Sequence, residues 1–141
     1  MGEVVIIGSL SFLYIYEVLL LFNNAGATGN IWNDTWLFDP SNNTFTYSDD
    51  YSGISALAVT KDNKLIKSYS RQGYCDETVC FYRPNGLKAP IPVNLIFTEP
   101  DNTSQISICW KIQAAMVNGK WKETHRDTLR TSLDLDEYLK R

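Results

Sequence analysis

The chain has 141 residues and a formal net charge of −3, with 44% hydrophobic and 13% aromatic residues. That length suits one domain burying about two-thirds of the surface its unfolded chain exposes, and the apolar and aromatic content excludes a disordered chain. Charge is uneven: residues 1–60 hold six acidic side chains and no Lys or Arg, while 61–141 hold all thirteen basic residues against ten acidic ones. Neither half is basic enough to predict nucleic-acid binding.

The first element is an apolar run from Val4 to Phe22, broken by Gly8, Ser9, Ser11 and Glu17. Its length approaches that of a membrane span, and Ala25-Gly26-Ala27 looks like a signal-peptidase site. Against this, the opening Met1-Gly2-Glu3 has no basic residue, and Glu17 would cost about 2.5 kcal/mol or more at a bilayer centre. Val4, Val5, Ile6, Ile7, Phe12, Tyr14, Ile15, Tyr16 and Val18 are β-branched or aromatic, which favours buried strands. Breaks are expected at Gly8-Ser9 and at Glu17. The strand reading goes with a cytoplasmic chain, and the signal or anchor reading with the secretory pathway or a membrane.

Further strands are predicted at Trp36–Phe38, Thr44–Tyr47, Ser55–Thr60, Lys64–Tyr69, Thr78–Tyr82, Val93–Thr98, Ser104–Ile112 and Lys120–Glu123. Turns fall at Asp39–Asn43, Lys61–Asn63, Arg71–Gly73, Arg83–Gly86, Glu99–Thr103 and Asn118-Gly119, the last a strong hairpin signal because both residues tolerate positive φ. Lys61, Lys64, Lys67 and Arg71 read as a solvated face. Residues 1–123 form the expected β domain. Residues 124–141 form a polar tail whose short helix is capped by Thr131 with Asp134 following.

The chemistry-bearing residues are sparse. Cys75, Cys80 and Cys109 are an odd set, in which Cys75 and Cys80 either pair across a turn or stay as thiols. His125 is the only His, so neither a triad nor a zinc site is expected, and no cofactor is called for. His125 and Asp49-Asp50 read as solvated. Sequons occur at Asn33, Asn42 and Asn102.

One stretch carries a family resemblance. Leu19–Phe22 is an apolar strand, followed by Asn23-Asn24 and the loop 25–32. Asn33-Asp34-Thr35-Trp36 and Phe38-Asp39 come next, and Phe45 lies nine residues after Trp36. This resembles a kelch repeat, one blade of a β-propeller, with Asn23-Asn24 in place of the usual Gly pair. A weaker copy, Asp76–Phe81 with Asn85, follows at a separation of 43 residues, and Trp110 and Trp121 make a fainter echo. The resemblance implies an all-β fold of antiparallel blades, incomplete at this length because propellers have roughly four to eight. Trp36 and Phe45 would fill the wedge between blades, with Asn33, Asp34, Phe38, Asp39 and Asn43 as structural residues. It implies a non-catalytic interaction module, with Trp32 and Trp36 near the face that binds another protein or further blades. It also accounts for the sequons at Asn33 and Asn42, which the repeat pattern tends to produce. A rival likeness, carried by Cys75-x4-Cys80, Gly86 and Val93–Thr98, is to secreted lipid-binding β-sandwiches of the cholesterol-transfer and mite-allergen kind. It implies a secreted glycoprotein holding a lipid or other apolar ligand.

Overall fold

In the computed structural model, the structure describes residues 8–13, 16–60, 62, 64–103 and 108–129. The chain is all-β, in two antiparallel sheets. The first is a four-stranded meander of β1 (Gly8–Leu13), β2 (Tyr16–Ala25), β3 (Ile31–Asp39) and β4 (Thr44–Tyr47). A one-turn helix, α1 (Asp49–Ser52), leads to the second. That sheet has six strands, again in sequence order: β5 (Ala58–Val59), β6 (Ile66–Gly73), β7 (Asp76–Asn85), β8 (Lys88–Pro100), β9 (Cys109–Val117) and β10 (Lys120–Leu129).

The described part of the N-terminal apolar run is strand, as its β-branched composition favours. The breaks differ from expectation. Gly8 lies within β1 and Glu17 within β2, and Leu13 pairs with Tyr16. Backbone pairing with Phe12 of β1 carries β2 straight through Glu17. No helix among the described residues is long and apolar enough to cross a membrane. The expected Ser55–Thr60 strand shrinks to Ala58–Val59, because Ala56 takes a positive φ of 47°. Conversely, β10 runs on to Leu129, past the expected end of the β domain at 123. The C-terminal helix falls on 130–141, outside the described residues.

The turn signals are more reliable. Asn118 and Gly119 both have positive φ and join β9 to β10, as the mirror-image hairpin turn demands. The Asp62 carboxylate accepts from Thr60 Oγ1 at 2.6 Å and from the Lys64 N–H at 3.1 Å. Asp101 accepts from the Thr103 N–H at 2.9 Å. Both are side-chain-closed turns of the kind Asp favours. Lys67 departs from the predicted solvated face and is only 2% exposed.

Period-2 alternation places Val18, Leu20, Thr35 and Leu37 on the inner face of the first sheet. Val18, Leu20 and Leu37 form one core with Tyr51 of α1, Ile54 and Leu57 of the connection, and Ile66 of β6. Tyr82 and Val59 pack against it, so this single apolar cluster holds both sheets. Burial of this kind, at about 25 cal/mol per Å² of apolar surface, is the main stabilising contribution.

The seam is completed by polar groups. β5 covers only two residues of β6, at Ile66 and Lys67. Beyond them, the Tyr69 N–H donates to the Ser55 carbonyl at 3.0 Å. The buried Asn30 side chain then stands in for a strand. Its Nδ2 donates to the Arg71 carbonyl at 2.8 Å, and its Oδ1 accepts from the Arg71 N–H at 2.7 Å. Each backbone group that loses a partner at such a seam costs about 1–3 kcal/mol. Asn30→Ala is therefore expected to lower unfolding free energy by about 2 kcal/mol, and Asn30→Asp, which keeps an acceptor but loses the donor, by a comparable amount. Urea denaturation of both variants checks this; wild-type midpoints for both would refute it.

Candidate functional site

Most strands of a two-sheet protein turn apolar residues inward and polar residues outward. The first sheet breaks this rule. Asp34, Trp36 and Phe38 alternate on the face of β3 opposite the buried Thr35 and Leu37. Across the register, Trp36 lies beside Leu19 and Tyr47, and Phe38 beside Phe45. Trp36 and Tyr47 meet edge to face with ring centres 5.4 Å apart, and Phe38 and Phe45 do the same at 5.4 Å. Such pairs contribute about 0.5–1.5 kcal/mol each beyond their burial. Tyr47 is nonetheless 45% exposed and Phe45 36%. The result is a flat aromatic surface on the side away from the core.

The hairpin that builds this surface is locally encoded. Asp39 Oδ1 accepts from the Ser41 N–H at 2.9 Å and from Ser41 Oγ at 2.6 Å, and Oδ2 accepts from Asn42 Nδ2 at 2.8 Å. The Ser41 hydroxyl and N–H together hold the Asp39 carboxyl below its ordinary range. Asn43 supplies the positive φ, 52°, that completes the turn. Both residues thus close the turn as expected, Asn43 through its backbone and not its side chain. Asp39 opposite Thr44 then fixes Phe38 opposite Phe45 and Trp36 opposite Tyr47. Trp36 and Phe45, expected to fill a wedge between blades, belong here to two separate aromatic pairs. Tyr47 was missed as a site residue, although its place beside Trp36 follows from the turn.

The other predicted residues sit around this surface. Asp34 accepts from Asn23 Nδ2 at 2.6 Å and gives the face an acidic edge. Asn33 is half-buried in β3 opposite Phe22. Trp32 alternates onto the same side of β3 as Asp34 and Trp36, at the far end of the strand beside the loop that follows β2. A Cβ at Gly26 would come within 3.2 Å of its ring. Asp49 and Asp50 are exposed in the first turn of α1, where the helix dipole favours them. His125 is exposed in β10.

The two outer edges of the sheets contrast. β10 reads Lys-Trp-Lys-Glu-Thr-His-Arg-Asp, with Arg126 paired to Glu99 at 2.8 Å and to Glu123 at 2.9 Å. A charged edge of this kind resists pairing with another strand. β4 reads Thr-Phe-Thr-Tyr, uncharged and exposed at all four positions.

The cysteines pair across the second sheet. Cys75, in the turn before β7, is bonded to Cys109 at the start of β9. Cys80 is the free thiol, buried, and burial pushes its pKa up. The Cys75–Cys80 pairing considered from spacing is thus replaced, because Cys80 lies inside β7 opposite Ser68. Among the described residues no cluster of three or more His, Cys, Asp or Glu could hold a metal. Comparisons with family models, with curated proteins and with solved structures return no match to this chain.

Proposed function

We propose that this chain is a non-catalytic interaction module that docks another protein on the aromatic face of its first sheet. The observation that carries the proposal is the Trp36–Tyr47 and Phe38–Phe45 cluster on a sheet face turned away from the core. Aromatic residues at the centre of a patch are the side chains that dominate binding energy at protein interfaces, and contiguous exposed apolar surface marks such sites. The uncharged edge strand β4 adjoins the cluster and leaves it open to a partner.

Charge narrows the partner. The cluster lies in the half of the chain without Lys or Arg, and Asp34 shares its face. A second copy would bring like charge against like. A protein surface with an apolar centre and a basic rim fits better, because Lys and Arg would pair with the carboxylates and stack on exposed rings. We extend the kelch likeness to this sheet alone. Its four antiparallel strands in sequence order, with Val18–Leu21 beside Asp34–Leu37, have the make-up of one blade. The second sheet, with six strands, departs from that unit. The Cys75–Cys109 bond favours an oxidising compartment, and the sequon residues Asn42 and Asn102 are exposed.

The test places a photo-crosslinking phenylalanine at position 47 or at position 74, where Tyr74 is 72% exposed but away from the aromatic face. A partner captured from the native source at 47 and not at 74 is expected, and Trp36→Ala should weaken its purified complex about tenfold or more. Equal capture at both positions, or a complex indifferent to Trp36→Ala, would sink the proposal.

A further inference from the structure

We infer a second binding site, distinct from the aromatic face. It is a cavity of about 460 Å³, open to solvent on one side, between the segment after α1 and the six-stranded sheet. Its ligand is an uncharged amphiphile, an apolar ring or chain carrying a carbonyl or hydroxyl group.

The space exists because of which residues line it. Ser68 pairs with Cys80 and Ser70 with Thr78, so four small polar side chains stand together on one face of β6 and β7. The same face carries Ile66, Leu95 and Ile112 elsewhere. Ser and Thr fill less volume than these aliphatic residues, so the overlying Ile54 and Ser55 leave a gap above them. The volume falls within the usual range for small-molecule sites, about 300–1,000 Å³.

The lining also selects a ligand. None of the lining residues is charged, and burying an ionised group without a partner is costly. Ile54, Leu95 and Trp121 offer apolar contact. Hydroxyl groups are concentrated at Ser68, Ser70 and Thr78. These hydroxyl groups offer a ligand carbonyl or hydroxyl the partners it needs out of water. Burial pushes the Tyr82 hydroxyl pKa up to about 12, so this wall stays neutral at physiological pH. Apolar side chains and convergent hydroxyl groups thus line one space, as a site for an amphiphile requires. It does not use Trp36, so its fate is separable from that of the aromatic face.

The probe is N-phenyl-1-naphthylamine, a neutral aromatic amine whose fluorescence rises on leaving water. Saturable binding of a single equivalent is expected. Ser70→Leu and Thr78→Leu, which fill the cavity, should each weaken it about tenfold or more, a loss of about 1.4 kcal/mol. Asp50→Ala, at an exposed position outside both sites, should leave it unchanged, and the anionic sulfonate analogue should bind at least about tenfold less tightly. A second readout does not depend on these variants. Cys80 lines the cavity and is the only free thiol among the described cysteines, so saturating probe should slow its alkylation in the wild-type protein. Absence of saturable binding, unchanged binding in both filled variants, or alkylation indifferent to the probe would each overturn the inference.

Discussion

Replacing Cys75 and Cys109 together by Ala is expected to lower the unfolding free energy by about 3–4 kcal/mol. The bond joins positions 34 residues apart in sequence. Removing it frees a loop of that length in the unfolded chain, and the chain-entropy estimate for such a loop is near the upper half of the usual range of about 2–4 kcal/mol. Burial adds to this, because the replaced sulfurs also leave interior contacts. Both cysteines are only 6% exposed. Urea melts of the oxidised protein, the reduced protein and the double variant check the prediction. Reduced protein and double variant should agree. Cys80→Ala should keep most of the wild-type stability, and thiol titration of the unfolded, unreduced chain should find one reactive group. Three reactive thiols, or a reduced protein as stable as the oxidised one, would refute the assignment.

The cysteine pairing shows where sequence reading stops. Spacing alone put Cys75 near Cys80, because only five positions separate them. Strand geometry decides otherwise. Cys80 is held within β7 with its side chain on the cavity face, while the meander returns β9 to the turn where Cys75 lies. Features set within a few residues were legible: the Asp39–Asn43 turn, the Asn118-Gly119 hairpin, and the strand character of the described N-terminal run. Trp36 was legible as a strand residue, within the predicted Trp36–Phe38 run. Its contact with Tyr47 was not, because the register follows from the four residues between Asp39 and Thr44. The seam between the sheets was illegible for a different reason. Asn30 bonds the backbone of Arg71 across 41 positions, and no local pattern marks an Asn that substitutes for a strand.

Tyr51→Ala should be comparably damaging, at about 3–5 kcal/mol, the usual cost of deleting a buried aromatic side chain. The sequence Asp49-Asp50-Tyr51-Ser52 reads as a polar turn, yet Tyr51 is 1% exposed and heads the fully buried side chains. The capping explains how. Ser48 Oγ accepts from the Tyr51 N–H at 3.3 Å, and the Ser48 carbonyl accepts from the Ser52 N–H at 3.0 Å, which closes one helical turn. That turn is tied to the first sheet at both ends: the Ser48 N–H donates to the Thr35 carbonyl at 2.9 Å, and the Thr35 N–H donates to Ser52 Oγ at 2.8 Å. The ring is thereby held among Val18, Leu20 and Leu37 of one sheet and Ile66 of the other. Its loss leaves a cavity that these bonds prevent the backbone from closing, so the cavity cost adds to the lost transfer free energy. Three variants separate the contributions. Tyr51→Phe removes only the hydroxyl and should cost less than Tyr51→Ala; Ser48→Ala removes the cap and should cost about 1 kcal/mol; Asp50→Ala, at an exposed position, should stay within about 0.5 kcal/mol of wild type. If Tyr51→Ala unfolded no more easily than Asp50→Ala in thermal and urea melts, Tyr51 could not be the side chain that holds the sheets together.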